Sequence, residues 1–119
     1  MSEDVIFDRC GQIEPVILRL STVYGLSPRM RYDLVVNLLT IKAYYENSFQ
    51  IFGPDQWRPF VHCKDVSEAF FLSANAPSSV VSNQIFNVGS TNQNFQIGDI
   101  GKMIKEELPS CHYLIKKDI

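Results

Sequence analysis

Neither sign of charge dominates the 119-residue sequence: Lys and Arg number 11 against 13 Asp and Glu, a formal net charge of −2. That balance lacks the basic footprint of a nucleic-acid-binding surface and argues against a disordered acidic tail. No apolar run reaches the roughly 18–20 residues of a membrane-spanning helix. The start, Met1-Ser2-Glu3-Asp4, lacks the basic n-region of a signal peptide. Cysteine is scarce. Cys10, Cys63 and Cys111 are odd in number and far apart, with no CxxC and no His/Cys cluster, so no metal site is expected. Three unpaired thiols suit a reducing cytoplasm, and each is read as a small buried side chain.

Several chemical motifs are also missing. No GxxGxxG or GxGxxG loop follows a first strand, so nothing here cradles a dinucleotide pyrophosphate. There is no GxxxxGK[ST] loop and no GxSxG elbow. One YxxxK spacing occurs, Tyr113 and Lys117. Acid–base work by such a pair needs a helix that puts both residues on one face, and this segment, after Pro109, reads as a strand or tail. No catalytic residue is therefore assigned.

What is present is an ordinary folded composition, 45% hydrophobic and 20% charged, enough for one domain at most. Residues 3–9 read as the end of a helix stopped at Gly11. Pro15 opens a strand at Val16–Leu20, apolar enough to be covered on both faces in a parallel sheet. Ser21 to Arg31 reads as a loop, broken by Gly25 and Pro28. Asp33 is an N-cap candidate for a helix over 34–46 whose wide apolar stripe predicts burial on most sides. A strand at 49–52, a turn at Gly53-Pro54-Asp55 and an extended segment over 57–62 follow. Asp65 is the expected cap of the next helix. Ala76 to Ser79 is a loop, 84–88 a strand, and 91–94 polar and non-periodic. Ile97, Ile100, Ile104 and Leu108 mark a helix face, weakened by Gly98 and Gly101 by about 1 kcal/mol each. Residues 113–115 suggest a last strand. The alternation predicts an α/β fold.

Three segments carry more. They are Leu18-Arg19-Leu20-Ser21-Thr22-Val23-Tyr24-Gly25, then Gly53 to Val66 with Arg58, Phe60, His62 and Asp65, and Phe86-Asn87-Val88-Gly89 ahead of a helix. In order and spacing they resemble the extended short-chain dehydrogenase/reductase family, the NAD-dependent epimerases and dehydratases of nucleotide sugars. The resemblance covers the second half of a family member. It implies the last strands of a Rossmann-type parallel sheet plus a small mixed substrate-binding subdomain over residues 1–119. The family's glycine-rich loop and catalytic Tyr and Lys would then lie upstream of Met1.

Site residues follow from the resemblance. Arg58 resembles the Arg that reaches the diphosphate of a nucleotide sugar, a task suited to a guanidinium fork. Thr22 stands where many members carry an Asn that donates to a substrate phosphate. Leu20, Ser21 and Val23 fall where members line the nicotinamide ring. Arg29 and Arg31, in the loop entering the helix, are candidates for a phosphate or a sugar carboxylate, and Asn37 for a base or sugar. His62 and Asp65 are read as structural, and Trp57 as a base stacker or a core residue.

The expected function is the substrate-binding half of an NAD(P)-dependent sugar-nucleotide epimerase or dehydratase, with NAD or NADP held by the intact enzyme and no dinucleotide held tightly by this chain alone. Expected partners are the nucleotide-sugar substrate and the missing dinucleotide-binding half, with no nucleic acid and no membrane. A half-sheet also predicts self-association through an exposed edge. The alternatives are a non-catalytic binding or regulatory module on the same fold, and a truncated gene product.

Overall fold

The computed structural model describes residues 2–116. Helices and strands are interspersed: α1 (Ser2–Arg9), β1 (Val16–Leu20), β2 (Thr22–Tyr24), α2 (Val35–Glu46), β3 (Ser48–Phe52), β4 (Trp57–His62), α3 (Cys63–Asn75), α4 (Ser78–Val81), which begins inside the loop expected at 76–79, β5 (Gln84–Val88), a 3-10 turn at Thr91–Gln93, β6 (Asn94–Gln96), α5 (Ile97–Glu107) and β7 (His112–Lys116). No helix among the described residues is long and apolar enough to cross a membrane.

The strands form three small sheets. β1 pairs in parallel with β5, from Val16 opposite Gln84 to Leu20 opposite Val88. β4 is central to the second sheet, parallel to β2 and antiparallel to β6. β3 and β7 form a parallel pair.

The main core lies between α2, α5 and the strands β3 and β4. It gathers Leu39, Ala43, Phe49, Ile51, Phe60, Ile97, Ile100, Ile104 and Cys111. Period-two alternation places Phe49 and Ile51 of β3 inside and Ser48, Gln50 and Phe52 outside. In β4 the consecutive residues Phe60 and Val61 are both buried, because this central strand is covered on both faces. Gly101 explains its place in a helix: a Cβ there would collide with Ile51 Cδ1. The glycine that costs helix propensity is what lets α5 lie down on β3.

Several local expectations are corrected. The 21–31 segment is not all loop, since residues 22–24 form β2 beside β4. Asp33 does not cap α2. The N-cap is Leu34, with no side-chain hydrogen bond, because the Asp33 carboxylate is taken by Arg31. Asp65 does not cap α3. His62 does, its Nδ1 accepting from the Lys64 N–H at 3.2 Å. α2 is not enclosed: only Leu39 and Ala43 are buried, and Tyr44 and Tyr45 are exposed. β1 is half-buried to exposed rather than covered on both faces. Residues 91–94 hold a 3-10 turn and the start of β6. Of the cysteines only Cys111 is fully buried. Tyr113 lies on β7, stacked on Phe49 at 5.3 Å, and Lys117 lies outside the described residues.

Candidate functional site

β1 ends at Leu20, and the Ser21 N–H continues the ladder by donating to the Val88 carbonyl at 2.9 Å. The chain then crosses directly into β2, which ends at Tyr24. Carboxyl ends of parallel strands open onto crevices in α/β folds, and one opens here. A cavity of about 480 Å³ is lined by Leu20, Ser21, Thr22, Val23, Tyr24, Gly25, Ser27, Arg29, Arg31, Leu34, Asn37 and Cys63. Every residue proposed from sequence for substrate or cofactor lies on the wall of this cavity, except Arg58 and Trp57, which stands exposed at the start of β4 and is neither on the wall nor in the core.

Arg58 sits on β4 opposite Phe95 of β6. Its exposed guanidinium donates to Gln56 Oε1 at 3.3 Å, and it is not among the residues lining the cavity.

The loop from Gly25 to Asp33 carries the two cavity arginines, and three contacts hold it. Gly25 adopts φ +114°, and a Cβ on it would strike the His62 ring, so only glycine lets the loop turn against the β4–α3 junction. Cys63 Sγ donates to the Leu26 carbonyl at 3.3 Å. Asn37 works from the first turns of α2: its Oδ1 accepts from the Gly25 N–H at 3.3 Å and its Nδ2 donates to the Arg31 carbonyl at 3.0 Å. The structure thus shows Asn37 pinning both ends of the loop, with one amide proton and one lone pair left over.

The arginines differ in state. Arg31 grips Asp33 with two donors, Nε to Oδ1 at 3.1 Å and Nη2 to Oδ2. That hydrogen bonding holds the Asp33 carboxyl below its ordinary range and raises the Arg31 guanidinium above its own. Both side chains are mostly exposed, so water and salt screen the pair. Arg29 also lines the cavity, and it has no hydrogen bond or ion pair among the described residues. Thr22, Ser21 and Ser27 add hydroxyls that can donate to an anion. Among the described residues no group of His, Cys, Asp or Glu is placed to hold a metal ion.

Sequence reasoning missed Tyr24, Gly25, Ser27, Leu34 and Cys63 as wall residues. Ser27 and Leu34 flank the arginines and were within reach of the loop argument. Cys63 arrives through the parallel pairing of Tyr24 with His62, which nothing local in the sequence announces.

A second, larger cavity of about 750 Å³ lies between α2 and α5. Its wall is mainly apolar and aromatic, including Tyr32, Tyr44, Tyr45 and Met103, and it shares Tyr24, Gly25 and Asn37 with the first. None of the predicted site residues other than Asn37 lines it.

Known proteins share both the sequence pattern and the fold. The pattern of the NAD dependent epimerase/dehydratase family matches residues 5–89. An NAD dependent NDP-hexosamine 5,6-dehydratase involved in tunicamycin biosynthesis is 27% identical, with a TM-score of 0.70 over 87% of this chain and 33% of its own. The ADP-L-glycero-D-manno-heptose-6-epimerase of Helicobacter pylori is 25% identical, with a TM-score of 0.79 over 98% of this chain and 36% of its own. The UDP-glucose 4-epimerase of Thermotoga maritima, solved with UDP-glucose, has a TM-score of 0.82 over 99% of this chain and 38% of its own. At 22% identity, that last likeness is one of fold. The chain spans little more than a third of the length of these solved enzymes.

Proposed function

The chain belongs to the NAD dependent epimerase/dehydratase family, and from that premise we propose that residues 1–119 are the substrate-binding portion of a sugar-nucleotide epimerase or dehydratase. The observation that carries this reading is the convergence of Thr22, Arg29 and Arg31 on one cavity at the carboxyl end of β1 and β2. A cavity of that size with two guanidinium groups and several hydroxyls suits a phosphorylated, hydroxyl-rich ligand. Arg29, unpartnered among the described residues, is the first anchor. Arg58, on β4 and outside the lining of this cavity, is a further diphosphate anchor on the strength of its motif alone.

The cofactor fits in part. Leu20 and Val23 offer an apolar wall, and Ser21 a hydroxyl lying where a Cβ on Gly89 would collide with it. That set suits the nicotinamide end of NAD. The sequence holds no GxxGxxG or GxGxxG loop of the kind that cradles a dinucleotide pyrophosphate. When bound, the dinucleotide supplies a hydride acceptor and donor. The residues of this chain contribute the wall that orients the sugar against it, so binding energy far from the reacting carbon positions that carbon. The Tyr/Lys acid–base pair and the pyrophosphate loop belong to a dinucleotide-binding partner half. This chain alone accordingly turns nothing over.

The test is calorimetric titration with UDP. Binding is expected to be weak, and Arg29→Gln to weaken it by about tenfold, the loss of one charged hydrogen bond. Arg58→Ala separates the two anchors. If it leaves the affinity unchanged, Arg58 is removed from the site. If the wild-type chain and Arg29→Gln bind equally, the cavity is not the diphosphate site.

A further inference from the structure

Arg29 and Arg31 enter the same cavity from the same loop but stand in different states, and the difference lies two residues beyond Arg31. Asp33 is not on the cavity wall. It draws the Nε and Nη2 edge of Arg31 to itself in a bidentate pair, the geometry with which an arginine holds a carboxylate or a phosphate. Two of the five Arg31 N–H donors, and the charge they carry, are thereby committed to an anion of the protein. An aspartate at this place, just before α2, would ordinarily serve the helix as its N-cap. Asp33 stands one residue before the N-cap Leu34, and α2 has no side-chain cap, so the carboxylate serves Arg31 and not the helix.

Resting on the reading of this cavity as a diphosphate site, we propose that Asp33 is an internal competitor for Arg31, neutralising its charge and holding its Nε edge until a diphosphate takes that edge over. The pair is built to exchange. Its side chains are 67% and 63% exposed, and an exposed ion pair holds loosely enough for a doubly charged ligand to replace it. A ligand carrying a single charge gains Arg29 alone. A diphosphate can bridge both guanidinium groups and offset the release of Asp33. The arrangement therefore discriminates in favour of ligands with two adjacent anionic groups and leaves Arg31 neutralised while the cavity is empty.

The experiment compares UDP and inorganic pyrophosphate binding by calorimetry in the wild-type chain and in Asp33→Asn, Arg31→Gln and the double variant. Asp99→Asn serves as control, since it removes the same charge from α5, where Asp99 pairs with Lys102. Asp33→Asn is expected to bind both probes about two- to fivefold more tightly, the worth of an exposed ion pair. In the Arg31→Gln background the Asp33 substitution should make no difference, and Asp99→Asn should leave affinity at the wild-type value. The proposal is overturned if Asp33→Asn binds no more tightly than wild type, if Asp99→Asn gains as much, or if the gain survives without Arg31. In those cases measurable wild-type binding still upholds the site. Binding by Asp33→Asn where wild type shows none supports the competitor. Binding by neither overturns both the competitor and the diphosphate site.

Discussion

The two ends of the molecule are built to different standards. Around α2, α5, β3 and β4, nine residues are buried in a shared core, with Ile51 at 1% exposure and Cys111 at 0%. Around the β1–β5 pair nothing comparable exists. No residue of α1, β1 or β5 is buried, and Ile85 and Phe86 of β5 each stand 38% exposed. The apolar residues of α3 share the contrast: Val66 is buried, while Phe70, Phe71 and Leu72 face outward. The whole chain has a radius of gyration of 18.0 Å, where a compact domain of this length has about 13.5 Å. Its surface of 8781 Å² compares with roughly 6,600 Å² for a compact protein of this mass. One region closes its own core. The other presents a pair of parallel strands whose faces and edges are largely open to solvent.

Core substitution should expose this contrast most strongly. Ile51→Ala is expected to destabilise by about 2–5 kcal/mol, the cost of emptying a well-packed site. Ile85→Ala should cost under about 1 kcal/mol, as at most positions outside a packed core. Urea denaturation followed by circular dichroism measures both. Equal costs would mean that β1–β5 is as well supported as the core, and that the chain folds as one even body.

The open sheet makes a second prediction, of association rather than stability. At high concentration the wild-type chain is expected to self-associate, and Phe86→Ser to shift the population toward monomer, since one apolar side chain leaves the exposed face. Light scattering over a concentration series reads the change. A wild-type chain that stays monomeric throughout would show that the open face is tolerated as it stands.

The same contrast governs how much was legible beforehand. The core elements are written in periodicity: Ile97, Ile100 and Ile104 recur at helical spacing, and Phe49 and Ile51 alternate as a strand should. The wall residues Leu20 to Val23 were named by the family resemblance and not by local pattern, and they meet the arginine loop at one wall because the two segments are contiguous past the end of β1. What escaped was decided by partners remote in sequence or by competition between neighbours. β2 is three residues long, too short for alternation to register, and exists because β4 lies beside it. Tyr44 and Tyr45 have the composition of burial, but no element among the described residues covers them. Asp33 and Asp65 both satisfy the local rule for a helix cap. The first is taken by Arg31, and the second is preempted by His62, which reaches the Lys64 N–H from the end of β4. Local preference names the candidates for a polar contact, and geometry chooses among them.

The smallest expected effect concerns α1, which has no buried residue. α1 is tied to β1 by Glu3, whose carboxylate accepts from Arg19 Nε at 2.9 Å and 3.2 Å and from Nη2. The hydrogen bond to Arg19 is the main cause that holds the Glu3 carboxyl below its ordinary value of 4.5, and it raises Arg19 in turn. A carboxyl whose folded-state pKa is depressed contributes stability above its unfolded value, and that contribution is lost as the pH falls through the folded value. The tether should thus be intact at neutral pH and released progressively below about pH 4.5. Arg19, already protonated and raised further, adds no transition on the alkaline side below about pH 12. Amide chemical shifts of residues 2–9, followed by NMR from pH 7 to 3, should show a transition that Glu3→Gln removes, while the shifts of Ile100 and Ile104 in the core stay in place. If the core amides move together with α1, the two regions unfold as one unit, and the division between a closed core and an open sheet does not hold.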